Sequence, residues 1–316
     1  MIGLVGRRLL YLVPVVLAVT VLTFLIANLL PGDLAVAMLG DQATPENVAA
    51  LHRKLGLDLP LWQQYLHWLG GVLSGDLGTS HRTGETVLHA ISGRLPVSLE
   101  LLIMAELGGL LIGVPLAILC AVRPGSAFDR AVSGTAFATL SMPPFMLAIL
   151  LIFVFAVWLG WLPASAYVPF SSDPLGNLRA MALPGATLAL LEWPTIMRVL
   201  RSDMISTLQE DYIAMARAKG LSDRRILLVH ALKPSSLTLV TVIGLNIGRL
   251  IGGTVITESV FALPGVGRLL VEAIYLRDFI VLQGGVLLVA VAFVVVNFIV
   301  DLLYAVLDPR IRHGHA

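Results

Sequence analysis

The sequence predicts an all-α integral membrane protein with six transmembrane helices, a polar helical elbow on one face and a partly helical loop on the other. Three observations carry this. Of the 316 residues 57% are apolar, 13% are charged, and the mean hydropathy is +0.90. A soluble domain carries roughly 25% charged residues, so lipid rather than water must cover most of this surface. Second, long apolar runs recur along the chain. Third, lysine and arginine gather in alternate connections between those runs.

A helix needs about 20 apolar residues to cross the hydrocarbon core. Six stretches qualify, approximately 9–30, 97–122, 131–159, 183–199, 235–257 and 283–307. The first follows Arg7 and Arg8 but exceeds a signal-peptide core, and no small-residue cleavage site closes it before Pro31-Gly32-Asp33. It reads as a span that stays. Glu192, Trp193 and Pro194 interrupt the fourth, and Met142-Pro143-Pro144 break the third.

With a cytoplasmic N-terminus, the inner side holds Arg7, Arg8, Arg123, Arg130, Arg198, Arg201, Arg217, Lys219, Arg224, Arg225, Lys233, Arg310 and Arg312. The short outer loops hold only Arg179, Arg268 and Arg277. Both termini are therefore expected in the cytoplasm. The expected organisation is a span plus external loop over 1–96, a five-helix core over 97–307 and a tail over 308–316.

In the external loop, Thr44-Pro45 reads as an N-cap with proline at the first helical position. Val48, Leu51 and Leu55 repeat at helical spacing, and Gly56 follows as a stop. Trp62, Tyr65, Leu66 and Leu69 share one face of a second helix before Gly70-Gly71, and the aromatics suit a membrane interface.

Residues 206–234 form the longest polar inner segment. One helix fits 207–219, stopped by Gly220; Ser222 can cap a second over 223–232, which ends before Pro234. Ala214, Ala216 and Ala218 would let another protein approach the backbone, rimmed by Arg217, Lys219, Arg224 and Arg225. The same pattern is open to a plainer reading, a basic loop that only fixes topology.

The segment resembles the EAA loop of ABC importer permeases, which couples the membrane subunit to its ATPase. Aligned on Gly220, the E-A-A positions hold Ala214, Met215 and Ala216, so the glutamate is missing, and the late proline falls at Pro234. The departures match the dipeptide/oligopeptide/nickel branch through Asp211, Tyr212, Ala216, Ala218, Lys219, Gly220, Leu221, His230 and Leu232. Gly75–Ser80 (GDLGTS), Glu258–Leu270 (ESVFALPGVGRLL) and Asp301–Arg312 (DLLYAVLDPRIR) resemble the same branch. The resemblance implies a coupling role for Asp211, Tyr212, Ala214, Ala216, Ala218, Lys219, Gly220, Leu221 and His230. It implies a bacterial inner-membrane complex with a homologous second permease, ABC ATPase subunits and an extracytoplasmic solute-binding protein, and a peptide as cargo. Nickel or another small solute is the alternative within that architecture.

No G-x-x-x-x-G-K-[ST] occurs, and none of the lysines, Lys54, Lys219 and Lys233, provides one. The chain is expected to hold no cofactor and perform no catalysis, with ATP and Mg bound by partner ATPase subunits.

Charges within spans are costly and often functional. Glu100, Glu106, Glu192, Arg249 and Asp301 are the candidates, with Asn28, Asn246 and Asn297 as neutral companions. A Glu192–Arg249 pair with Asn246 could line a pathway or gate, or simply tie two helices together. Glu258, Pro264 and Gly265 are pathway candidates through the family's inward-dipping loop. Gly244, Gly248 and Gly252, four apart, suit either a permease–permease interface or internal packing. Cys120 reads as a small buried residue. His52, His67, His81, His89, His313 and His315 have no spacing that fixes a metal. An ion-driven secondary transporter is the competing class, but the inverted repeat common there is not evident.

Overall fold

The computed structural model describes residues 2–29, 34–39 and 43–307. They are mostly helical, and the only strand-type pairing among them is one isolated bridge, Thr79 to Thr86. In chain order the helices are α1 (Ile2–Leu29), α2 (Leu34–Leu39), α3 (Pro45–Leu55), α4 (Leu61–Leu73), α5 (Val87–Val122), α6 (Ala127–Leu140) and α7 (Pro144–Leu151). Then come α8 (Pro174–Leu208), α9 (Asp211–Ala218), α10 (Asp223–Arg225), α11 (Leu232–Val260), α12 (Val266–Leu276) and α13 (Phe279–Leu307). Two π-helical segments, Ile152–Trp158 and Ile226–Ala231, extend α7 and join α10 to α11. The side chains of Asn28 and Asp301, residues 31–33, and the tail with Arg310, Arg312, His313 and His315 lie outside the described residues.

The predicted apolar stretches fall largely on helix. Among the described residues, Val87–Val122, Asp223–Val260 and Phe279–Val300 are long and apolar enough to cross a membrane. The third predicted stretch is not one rod: α6 and the Pro144–Trp158 helix meet at 105°. Pro143 and Pro144 cause the break, since neither can donate to the helix before it. The fourth stretch is the middle of α8, which continues through Pro184 and Pro194 for 35 residues.

The chain divides into two compact units, one of residues 1–96 and 265–295, the other of 97–264 and 296–316. In the first unit, Val87, Ala90, Ile91, Val266, Leu269, Ala273 and Val281 form the apolar core. The GDLGTS turn is pinned there: Ser80 donates to Asp278 at 2.5 Å, and the Gly78 amide donates to Asp76 at 2.8 Å. Gly78 has φ +90°, and a Cβ there would lie 2.8 Å from Ile280. The Thr44 hydroxyl caps α3 by accepting from the Asn47 amide, and Gly56 ends it at φ +67°. In α4 the expected single face divides. Tyr65 and Trp68 pack on Phe24, with Tyr65 also hydrogen-bonded to Thr20, while Trp62 and Leu66 stay exposed. The helix passes Gly70-Gly71 and ends at Leu73.

The second unit is organised by α8. One core joins Val97, Leu101 and Ala105 of α5 to Leu147, Leu151, Met181, Leu188, Leu250, Phe261 and Leu263. Another joins Ala117, Ala121, Ala136, Trp193, Ile196, Met197, Leu200 and Met204. Glycines let α5 and α8 touch: a Cβ on Gly108 would lie 2.6 Å from Ala189, and one on Gly113 2.8 Å from Ile196 and 3.0 Å from the Trp193 carbonyl. Across the far end, Arg201 grips Asp129 through Nε and Nη2, each at 2.6 Å, while the Gly125 amide donates to the same carboxylate at 2.7 Å.

Gly244, Gly248 and Gly252 do not act as one stripe. A Cβ on Gly244 would collide with Val300 of α13, so that position serves internal packing, whereas Gly252 faces open space.

Candidate functional site: a polar elbow and a buried ion pair

The elbow begins where α8 ends at Leu208. Gln209 and Glu210 interrupt the backbone, so the expected helix over 207–219 becomes the end of α8 plus the separate α9. Ile213 and Ala216 of α9 turn inward onto Ile226, with Leu208 and Leu221 closing a small apolar core. Gly220 takes φ +77° with no atom near its missing Cβ. Its requirement is conformational, since an L side chain is strained there. The Leu221 amide then donates to the Ala216 carbonyl at 3.2 Å and closes the turn.

Two expectations about the second arm fail. Ser222 stands at the N-cap, but its hydroxyl makes no capping bond; its carbonyl receives the Arg225 and Ile226 amides instead. The helix also runs past Pro234 into α11. Proline sits only three residues into α11, and the preceding turn is π-helical, which accommodates the missing donor. The His230 carbonyl, four residues before Pro234, lacks its ordinary α-helical donor. The Tyr212 hydroxyl supplies one at 3.1 Å and ties α9 to the second arm. Partial burial, then the neighbouring Glu210 charge, raises the Tyr212 phenol above its usual range.

The expected alanine face is also revised. Ala216 is buried within the elbow, while Ala214 and Ala218 are exposed. The outward surface is Asp211, Ala214, Met215 and Ala218, with Met215 56% exposed and Arg217, Lys219, Arg224 and Arg225 around it. His230 is half-buried and contributes its backbone carbonyl to the Tyr212 hydrogen bond.

Within the bundle, the structure brings Glu192 and Arg249 together. Arg249 Nη2 donates to Oε1 at 3.0 Å and to Oε2 at 2.9 Å, and lies 3.5 Å from the Asn246 side-chain oxygen. Glu192 is 3% exposed because Gly109 of α5 admits it: a Cβ on Gly109 would sit 3.0 Å from the Glu192 Cβ. Glu106, also buried, shares this electrostatic neighbourhood with Glu192 and Arg249, and neither of its carboxyl oxygens has a hydrogen-bond partner among the described residues. Asn246 Nδ2 is likewise buried without a partner.

Glu258 is elsewhere, fully buried and accepting from Ser98 at 2.7 Å. The turn after it places Ala262 at φ 54° and buries Phe261 and Leu263. Pro264 ends that turn, and Gly265 is the N-cap of α12. Asp129 and the α5 glycines were not among the residues singled out from the sequence, whereas Glu106 was, as a charge within a span. Gly108, Gly109 and Gly113, following Glu106 on the same helix, were the available signal.

Comparison with known proteins agrees along the whole chain. The model of the binding-protein-dependent transport system inner membrane component matches residues 113–313, and that of its N-terminal region matches residues 1–102. A putative peptide transport system permease protein of Brucella abortus (strain 2308) is 42% identical over 99% of this chain and 100% of its own. The dipeptide transport system permease protein of Escherichia coli (strain K12) is 40% identical over 99% of each chain. The di/tripeptide transport system permease protein of Pseudomonas aeruginosa is also 40% identical, over 99% of each. In fold, the chain is similar to an inward-facing structure of the MetNI methionine ABC transporter, at TM-score 0.55 and 19% identity over 67% of this chain and 93% of that one.

Proposed function

We propose that this chain, which belongs to the family of binding-protein-dependent transport system inner membrane components, is the permease subunit of an ATP-driven importer of dipeptides or short oligopeptides. The elbow at 209–231 carries this reading. A small exposed face with Met215 at its centre, backed by its own apolar core and tied by Tyr212, is a rigid lever with a contact surface. A lever so built transmits force to α8 and α11, with which it is continuous or nearly so.

In this reading a separate ABC ATPase binds ATP and Mg and receives α9. Closure of the ATPase shifts the bundle between inward-open and outward-open populations. The basic elbow and both termini face the cytoplasm of a bacterial inner membrane, in keeping with the arginine and lysine asymmetry. An extracytoplasmic binding protein delivers the peptide, and a homologous second permease completes the pathway.

The test is reconstitution in liposomes with its ABC ATPase and solute-binding protein. Peptide-loaded binding protein should stimulate ATP hydrolysis and drive uptake, and Met215→Asp should abolish stimulation while the chain stays folded. Uptake driven by a proton or sodium gradient without ATPase subunits would sink the proposal in favour of secondary transport.

A further inference from the structure

Arg249 occupies an unusual position. It lies on α11 with Leu245, Gly252 and Ile256, and these four recur at helical spacing along one exposed face. The other three are apolar or bare, as a lipid-facing or helix-facing surface would be. The Arg249 side chain is nonetheless 54% exposed while its partner Glu192 is 4% exposed. Arg249 is eight residues inside the predicted end of the span at 257. At 1.5 Å rise per residue that is about 12 Å, beyond what an arginine covers by snorkelling. A guanidinium at that depth and exposure is costly against lipid, and charges so placed mark pathways or polar interfaces.

Its hydrogen bonding is lopsided. Every bond it makes runs through Nη2. Among the described residues, Nε and Nη1 have no partner. Glu192 thus offsets the charge through one nitrogen and leaves the other donors unused by the described residues. Gly252, one turn further on along the same face, has no atom within 4 Å of where a Cβ would stand. The buried Asn246 Nδ2, also without a partner, sits on the same turn.

We propose that Arg249, anchored by Glu192, is a transit contact for the carboxylate of a peptide passing through this subunit. The guanidinium offers its free donors to an anionic oxygen pair, a charge-assisted contact stronger than a neutral one. Glu192 keeps the arginine in place and lowers its net attraction, so the carboxylate is met and released rather than trapped. The inference rests on the peptide-importer reading and adds the residue that meets the cargo and the chemical group it reads.

The experiment uses the full complex in liposomes with binding protein preloaded with one of three peptides, loading being verified by mass spectrometry. These are dialanine, dialanine amide and alanyl-glutamate amide. Arg249→Gln should lower dialanine uptake per ATP at least about tenfold and leave dialanine amide uptake unchanged. Loss of alanyl-glutamate amide uptake assigns the contact to any carboxylate; its retention assigns it to the terminal carboxylate. Because Arg249→Gln leaves Glu192 buried and unpaired, the double variant Glu192→Gln/Arg249→Gln is measured beside it and should show the same discrimination. Equal loss for all three peptides, or no loss for any, overturns the transit contact and leaves the importer reading standing. Failure of the unaltered complex to import any peptide overturns both.

Discussion

The Tyr212 hydroxyl donates to the His230 carbonyl at 3.1 Å, and that carbonyl lies four residues before Pro234, where an α-helix would have used the missing proline amide. One phenol therefore repairs a backbone defect and joins the two arms of the elbow. Tyr212→Phe keeps the ring and removes the donor. A typical internal hydrogen bond contributes about 1 kcal/mol, so the fold should survive with a small loss. Coupling should suffer more, because the arms are then joined only by apolar contacts. Peptide-stimulated ATPase should fall severalfold while basal hydrolysis is unchanged; unaltered stimulation would show that the bond is not part of the lever.

The Arg201–Asp129 clamp should be worth more to stability than any surface ion pair. Both bonds are 2.6 Å, and the Asp129 side chain is 4% exposed. Removing one partner of such a pair costs about 3 kcal/mol, discounted here because Arg201 is partly exposed. Cys120, the sole cysteine and fully buried, offers the measurement. Its labelling by a thiol-reactive fluorophore on heating should begin several degrees lower in Asp129→Ala and Arg201→Ala. The double variant should cost less than the two singles summed, since each single leaves a charge unpaired.

The glycines divide into those that hold helices together and those that do not. Gly113→Val forces a side chain against Ile196 and the Trp193 carbonyl, and backbone cannot move aside cheaply. Overpacking of this kind costs about 1–3 kcal/mol. It should also displace α8 and loosen the seat of Glu192. Gly252→Val meets nothing within 4 Å and should leave the labelling temperature of Cys120 unchanged. If the two variants melt alike, α5 and α8 are not packed as described.

Local signals were the legible ones. Thr44, Pro45 and Gly56 delimit α3 because caps depend on neighbours in sequence. Gly220 marked the turn because a positive φ is a property of one residue. The Glu192–Arg249 pair was legible because a charge deep in an apolar run needs a partner, and few were on offer. Pro234 misled because its cost was met by a π-helical turn, which no single-residue rule announces. Ser222 occupied the right place without the bond usually inferred from it. Asp129 falls between the expected stretches 97–122 and 131–159 and carried no local signal, since its value comes from Arg201, seventy-two residues away. The 105° bend between α6 and α7 was visible as two prolines, but its size was not.

The two alanines separated by one residue in α9 give the sharpest test of the elbow. Ala216 packs against Ile213 and Ile226, while Ala214 is exposed on the outward surface beside Met215. Ala216→Leu adds volume where there is none, so it should lower the unfolding temperature, at a cost of about 1–3 kcal/mol. Ala214→Leu touches no core and should leave that temperature unchanged. If the outward face of α9 enters an ATPase groove, the added bulk holds the surfaces apart, and peptide-stimulated hydrolysis should drop at least about tenfold with the fold intact. Stimulation that survives Ala214→Leu but fails with Ala216→Leu would mean that the elbow matters only as a folded turn, and that the docking surface lies elsewhere on the subunit.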